Sequence, residues 1–281
     1  VRKKCYLLWT KMKIVSFNIN SVRARPHQLE HIRDTINPDV IGLQETKVND
    51  PEFPIEVINE IGYHAEYWGQ KGHYGVALLS KEKPLDTSKG FVSDTEEEQK
   101  RFIQCKYKFG NSSIVIMNGY FPQGENINHE TKFPKKVKFY NDLYIHIKEL
   151  QKDSKNLIVM GDFNVSPEDI DIGIGEQNAK RWLREGKTSF QPQEREMWNS
   201  IKNLGFVDSW RVINPNESSI YSWFDYRSRM FDQNPKRGLR IDHILLSENL
   251  KSSINLVGID YDARAMEKPS DHCPVWLELN E

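Results

Sequence analysis

The chain has 281 residues, of which 38% are hydrophobic, 11% aromatic and 28% charged, enough apolar material for one large α/β core. Its formal net charge is −1, so charge alone does not hold a polyanion: the basic side chains must cluster, or a cation must be brought to the phosphate. Cys5, Cys105 and Cys273 form no C-x-x-C pair, which argues against a disulfide framework or a cysteine zinc site and fits a reducing, cytoplasmic setting.

In chain order, residues 1–11 begin like a signal peptide, but the apolar stretch 5–9 is shorter than the roughly 7–15 residues such a core needs. No apolar run approaches the ~20 residues of a membrane span. Residues 14–17 (IVSF) read as a strand followed by Asn18. Residues 26–37 read as a helix, with Pro26 at its start and Leu29, Ile32 and Ile36 on one face. Residues 40–43 (VIGL) form a strand followed by Gln44 and Glu45, and 76–79 (VALL) form another. The acidic run 94–98 reads as a solvated loop. Strand 114–117 (IVIM) is followed by Asn118 and Tyr120, and Val137, Tyr140, Tyr144 and Ile147 mark a helical face. Strand 157–160 (LIVM) runs into Gly161, Asp162, Phe163 and Asn164. Residues 176–187 place Lys180 and Arg184 on one helical face around Trp182. Residues 194–204 read as a helix stopped by Gly205. Strands at 244–246 and 275–279 complete the pattern, with Ser270, Asp271 and His272 before the last. No internal repeat or long linker interrupts it, and mixed short strands and helices predict an α/β sandwich.

The chemistry lies at the strand ends. A buried strand has no need of carboxylates and amides there, whereas a hard-cation site needs oxygen ligands on rigid elements. If the strands run the same way, Asn18, Glu45, Tyr120 and Asp162 share one edge. Asp271 and His272 join them only if the last strand is antiparallel and the sheet mixed. Singly, each residue has an ordinary reading as a turn former, strand end or packing group; together they fit phosphoester hydrolysis. A divalent ion neutralises phosphate oxygens, a second group activates water, and donors hold the transition-state charge. Glu45 is the first metal ligand, Asp162 activates water or protonates the leaving group, and Tyr120, Asn164 and His272 donate to phosphate. Asp242 orients His272. Trp223 and Phe224 are adjacent aromatics: one belongs in the core, or at least one lines a pocket for an extrahelical sugar. Candidate phosphate contacts are Arg23, Arg25, Lys47, Lys71, Arg101, Gln123, Arg181, Arg227, Arg237 and Arg240.

The motifs Asn18-Ile-Asn, Gln44-Glu45-Thr-Lys, Asn118-Gly-Tyr120-Phe-Pro-Gln, Gly161-Asp162-Phe-Asn164, Ser222-Trp223-Phe-Asp-Tyr-Arg, Arg240-Ile-Asp242 and Ser270-Asp271-His272 together resemble the exonuclease III family of AP endonucleases. The resemblance runs from Met12 onward and implies a single nuclease domain over 12–281, with residues 1–11 a non-essential extension. It implies a four-layer αββα sandwich of two mixed sheets, the DNase-I-like fold. It implies 3′→5′ exonuclease action on double-stranded DNA, cleavage 5′ to abasic sites and removal of 3′-blocking phosphates. The partner is then double-stranded DNA with abasic sites or 3′ ends, the protein a monomer, and the cofactor Mg²⁺, with Mn²⁺ as a substitute. Carried over by residue, Asn18, Glu45, Asp162, Asn164, Asp271 and His272 surround the metal. Tyr120, Asp162, Asn164, Asp242 and His272 are catalytic, with the water-activating base open between Asp162 and His272. Arg101, Gln123, Trp223, Phe224 and Arg227 contact DNA. The family turn Asp-Met-Asn reads Asp-Phe-Asn here. A phosphoesterase of the same fold on a non-DNA ester is the alternative, and a non-catalytic DNA-binding module a more distant one.

Overall fold

The computed structural model describes residues 11–280. Twelve strands fall into two six-stranded sheets. The first contains β1 (Lys11–Asn18), β2 (Val40–Gln44), β3 (His64–Trp68), β4 (Val76–Ser80), β11 (Ile254–Ile259) and β12 (Val275–Asn280), in the order β11-β12-β1-β2-β4-β3. The second contains β5 (Asp86–Lys89), β6 (Phe102–Phe109), β7 (Ser112–Tyr120), β8 (Leu157–Asp162), β9 (Phe206–Asp208) and β10 (Asp242–Ser247), in the order β5-β6-β7-β8-β10-β9. Both sheets are mixed. β1 and β2 are parallel, as are β7 and β8, while β12 runs antiparallel to β1 and β10 to β8.

β2, β4, β8 and β10 are buried along their whole length and read as near-continuous apolar runs because both faces are covered, whereas the outer strands β3, β5 and β11 are half-buried. Side chains alternate across each strand. Ile14, Val40, Leu78, Ile116, Ile158 and Met160 point between the sheets and form the central core. Val15, Phe17 and Ile41 point outward against α1 (Pro26–Thr35) and α2 (Ile55–Glu60). On the other sheet, Val115, Leu157 and Val159 meet α3 (Lys132–Leu150) and α5 (Pro192–Lys202). The result is the expected αββα sandwich. α4 (Glu176–Glu185), α6 (Ser209–Ile213) and α7 (Tyr261–Ala265) complete the helices. Among the described residues, no helix is long and apolar enough to cross a membrane.

Polar side chains also join the two sheets. Asn118 Nδ2 donates to the carbonyls of Leu43 at 2.9 Å and Ala77 at 3.0 Å, and its Oδ1 accepts from Gln44 Nε2 at 2.6 Å. Gly42 permits this approach, since a Cβ there would lie 2.4 Å from Met160 Cε and 2.8 Å from Asn118 Oδ1.

Three expectations are adjusted. Residues 1–10 lie outside the described residues, but Lys11, expected in the extension, is the first residue of β1 and pairs with Asn280. The buried face of α3 is Lys136, Phe139, Tyr140, Leu143 and Ile147, with Val137 and Tyr144 only half-buried. The face is rotated because Lys136, which reads as a surface residue, has an interior partner. The helix expected over 194–204 begins at Pro192, with a capping box between Gln191 and Glu194, and Gly205 beyond its end has φ 89°.

Candidate active site

The parallel pairs carry their polar ends to the same rim. Asn18 ends β1 beside Gln44, Tyr120 ends β7 beside Asp162, and Asp242 starts the antiparallel β10 opposite Asp162. His272 enters just before β12, where a backbone bridge ties it to Trp223.

Asn18 is fully buried and spans the seam between the sheets. Its Nδ2 donates to Glu45 Oε1 at 2.9 Å and to Asp162 Oδ2 at 3.0 Å, while its Oδ1 accepts from the Asn20 amide at 3.1 Å. With its oxygen so engaged, Asn18 meets the site as a donor to two carboxylates. His272 Nδ1 lies 2.8 Å from Asp242 Oδ2, and its Nε2 lies 3.8 Å from Asp162 Oδ2. Asp162, Asp242 and His272 are all buried, each with a ligand-capable atom within 4.8 Å of the others.

Burial pushes the Asp162 carboxyl up to about 7, with Asp242 and Glu45 adding to the effect and His272 and Asn18 opposing it. Burial works against a charged His272 ring, but Asp242, Asp162 and Asp271 outweigh it and hold its pKa well above the ordinary histidine range. Asp271 also works against burial; His272, Asn20 and Trp223 keep its pKa low. Its oxygens accept from Asn20 Nδ2 and Trp223 Nε1, each at 3.0 Å. Burial, then the Glu45 carboxylate, raises the Tyr120 phenol well above its usual value, so it remains a proton-bearing donor.

Glu45, Tyr120, Asp162, Asp271 and His272 line a cavity of about 380 Å³, together with Gln123 and Arg227, while Asn18, Asn20 and Asp242 stand behind that lining. Its apolar wall is Trp182, Trp223, Met230 and Ile241, and Lys187 lies 3.5 Å above the Trp182 ring. Asn164, at φ 53°, lines the cavity and donates Nδ2 to the Phe121 carbonyl at 3.0 Å. One amide hydrogen remains chemically available to a ligand. The donor set suits a hard divalent cation: carboxylates from Glu45, Asp162 and Asp271 face one cavity beside neutral amides.

Several expected DNA contacts are placed differently. Phe224 is 0% exposed and packs among Tyr221, Phe231 and Cys273, so of the two aromatics only Trp223 reaches the cavity. The two residues lie outside any named strand, but Trp223 is held by backbone bridges to Leu239 and His272, and in such an extended segment neighbouring side chains face opposite ways. Arg240 is buried on Asp171, Asp208 and His243 and has no access to a phosphate. Arg237 donates to the Ile174 carbonyl. Arg101 is stacked beneath Tyr120, whereas Gln123 and Arg227 are exposed at the rim. Sequence reasoning missed Asn20, which joins Lys47 to Asp271; Lys187, which the basic segment 176–187 offers as part of a groove-contacting element, lines the cavity wall. The motif carrying Asn20 was the available signal for it.

The profile of the Endonuclease/Exonuclease/phosphatase family matches residues 15–272. Exodeoxyribonuclease III of Haemophilus influenzae is 54% identical over 268 residues, spanning 95% of this chain and 100% of that protein. The 3′ phosphatase NExo from Neisseria, solved with a product DNA hairpin, has a TM-score of 0.88 at 32% identity over 96% of this chain and 100% of that one. An AP endonuclease from Archaeoglobus fulgidus has a TM-score of 0.83 at 36% identity, over 95% of this chain and 98% of that one. With the strand-end carboxylates, the Asp242–His272 pair and the aromatic wall in the same molecule, these likenesses settle the family: the chain belongs to the endonuclease/exonuclease/phosphatase family, in its exonuclease III and AP endonuclease branch.

Proposed function

We propose that the protein is a Mg²⁺-dependent DNA-repair nuclease that removes nucleotides 3′→5′ from duplex ends, cuts 5′ to abasic sites and clears 3′-blocking phosphates. The observation that carries this reading is the joining of a buried Asp162, held between Asn18 and the Asp242–His272 pair, to a cavity walled by Trp223. The relatives named exodeoxyribonuclease III, 3′ phosphatase and AP endonuclease cover the three activities.

Glu45 and Asp271 are the leading candidates to hold the metal, with Asp162 beside them. Asn18 acts through the two carboxylates it bridges. When bound, the ion supplies charge neutralisation on the phosphate and stabilises the leaving oxygen. Asp162, poised near neutrality by burial, exchanges the proton of the attacking water or of the leaving group. His272, held charged by Asp242, and the Tyr120 phenol donate to non-bridging phosphate oxygens, with Asn164 as a further donor. Trp223 packs against an extruded sugar, and Gln123 and Arg227 meet the backbone. Double-stranded DNA carrying abasic sites or 3′ ends is the substrate.

The test is a duplex with one abasic analogue, incubated with Mg²⁺ and then with EDTA. Cleavage 5′ to the lesion with Mg²⁺ alone is expected. Hydrolysis of a soluble phosphate monoester with an uncut duplex would instead favour the non-DNA alternative.

A further inference from the structure

Lys136, near the start of α3, and Glu194, in the first turn of α5, form an ion pair in which both side chains are 0% exposed. Removing two charges from water is unfavourable, and well-packed apolar side chains of similar volume often do as well or better for stability. Their other partners indicate a different role. Lys136 Nζ donates to the carbonyl of Asn164 at 2.9 Å and to that of Gln123 at 3.3 Å. Glu194 Oε2 accepts the backbone N–H of Ser189 at 2.8 Å and of Gln191 at 2.9 Å.

Gln123, Asn164 and Ser189 all line the cavity that holds Glu45 and Asp162. Asn164 and Ser189 have φ of 53° and 113°, left-handed values that non-glycine residues keep only where the surroundings enforce them. Ser189 is tied in turn to the loop beyond Asn164, its carbonyl accepting from the Ser166 amide at 2.6 Å. Gln191 Nε2 donates to the Lys187 carbonyl at 2.8 Å, which continues the link to the wall residue stacked on Trp182. The pair therefore clamps the segments after β7, β8 and α4 from behind, through a helix that never enters the cavity.

We propose that Lys136, acting through Glu194, is a positioning residue for phosphodiester cleavage. It fixes the Asn164 backbone so that the Asn164 amide meets the phosphate, and it sets the distance between that amide and the wall at Ser189. This rests on the nuclease reading above. A misplacement of about 1 Å in a reacting constellation costs roughly 100-fold in rate, whereas binding of the duplex depends on phosphate contacts elsewhere.

The experiment compares wild type, Lys136→Arg and the double variant Lys136→Met/Glu194→Gln, which leaves no unpaired buried charge. Single-turnover rate, KM and duplex affinity are measured on an abasic duplex with Mg²⁺, beside melting curves. Wild type must cut first; failure there overturns the nuclease reading and is seen before any variant is compared. The folded double variant is expected to bind DNA within about 2-fold of wild type while its rate falls roughly 10- to 100-fold. Lys136→Arg keeps a cation with N–H donors for the carboxylate and carbonyls, so once folded it should lose less rate than the double variant, though not regain wild type, because the guanidinium is bulkier than the buried site. A folded double variant cutting within about 2-fold of wild type overturns the proposal, as does a loss matching only its unfolded fraction. If the double variant does not fold, Glu194→Asp is measured in its place, since it keeps the charge but withdraws the carboxylate from Ser189. A rate loss at unchanged KM supports the proposal, and an unchanged rate overturns it.

Discussion

The Arg101 guanidinium lies 4.4 Å from the centroid of the Tyr120 ring and 4.6 Å from that of Tyr74. Its Nε donates to Gln99 at 2.7 Å, and Gln99 donates in turn to the Tyr74 hydroxyl at 2.7 Å. A side chain that reads as a phosphate contact is thus a support for the phenol it stacks on.

Arg101→Lys should accordingly lower the cleavage rate although the charge is kept, because an ammonium does not replace a stacked planar cation. A cation–π contact is worth about 0.5–2 kcal/mol, so a loss of about 2- to 30-fold is expected. Binding measured across a salt series gives the contrast: losing a phosphate contact would reduce the salt slope by about one, and no such change is expected.

Glu45→Gln keeps the side-chain shape but removes a charge from the cation site. Its activity should fall by about two to three powers of ten if several kcal/mol of charge stabilisation depend on the ion. The check is a Mg²⁺ titration of both proteins with melting curves alongside. An unchanged activation curve and rate removes Glu45 from the metal site.

Trp223→Ala should narrow the preference for abasic over intact internal sites. An abasic sugar costs little to extrude, and a tight aromatic wall excludes a base. The indole also pins Asp271 at 3.0 Å, so some loss is expected on every substrate. The abasic duplex should lose most kcat/KM and the 3′ phosphate least, measured at one salt concentration. Equal losses on all three substrates refute the pocket role.

His243 should make folding acid-sensitive. Its Nδ1 faces Arg240 at 2.8 Å and its Nε2 faces the Val165 carbonyl at 2.8 Å, an arrangement that suits the neutral ring. Burial, then Arg240, pushes its pKa down to about 4, against about 6.5 in an unfolded chain. The unfolded state then takes up the extra proton as pH falls. Stability is full above about 6.5 and declines toward about 4, by on the order of 3 kcal/mol if this residue acts alone. Urea titrations at pH 7.5 and pH 5 should show a smaller difference for His243→Gln than for wild type. An identical difference assigns the effect elsewhere.

A chain beginning at Met12 should fold and cleave normally. It loses the Lys11 pairing with Asn280 and a 3.7 Å ion pair to Glu278 whose lysine side chain is 65% exposed, a kind of contact worth about 0–1 kcal/mol. A large fall in Tm on truncation would show that residues before Met12 support the core.

Seven of the twelve strands were legible, because covering both faces leaves uninterrupted apolar runs such as LIVM before Asp162; β3, β5, β6, β9 and β11 were not, since strands that are half-buried, short or mixed with polar residues carry no such run. The carboxylates and amides at their ends were legible because an apolar strand gives no reason for them. Phe224 was less so: the alternation rule separates two neighbouring aromatics without saying which faces the cavity. Lys136 and Glu194 were hidden, since each reads as part of a solvated helix face and their partnership exists only once α3 and α5 pack on one sheet. Arg240 misled for a related reason, its two aspartates standing far from it in the chain. The Asn18 bridge between Glu45 and Asp162 was not visible either, because it spans two sheets that the sequence reads only as strands.

That bridge, with β12 as the antiparallel neighbour of β1, bears on when the cavity lining is completed during synthesis. Asp271, His272 and β12 follow every other part of the site in the chain. Until the ribosome has added them, β1 lacks one of its two sheet neighbours and Asp162 lacks the cation that offsets its burial. A growing chain that already includes Glu45, Tyr120, Asp162 and Trp223 still lacks Asp271 and His272 of the cavity lining. The cavity lining is therefore completed by the residues that lead into β12, the strand that comes last in chain order.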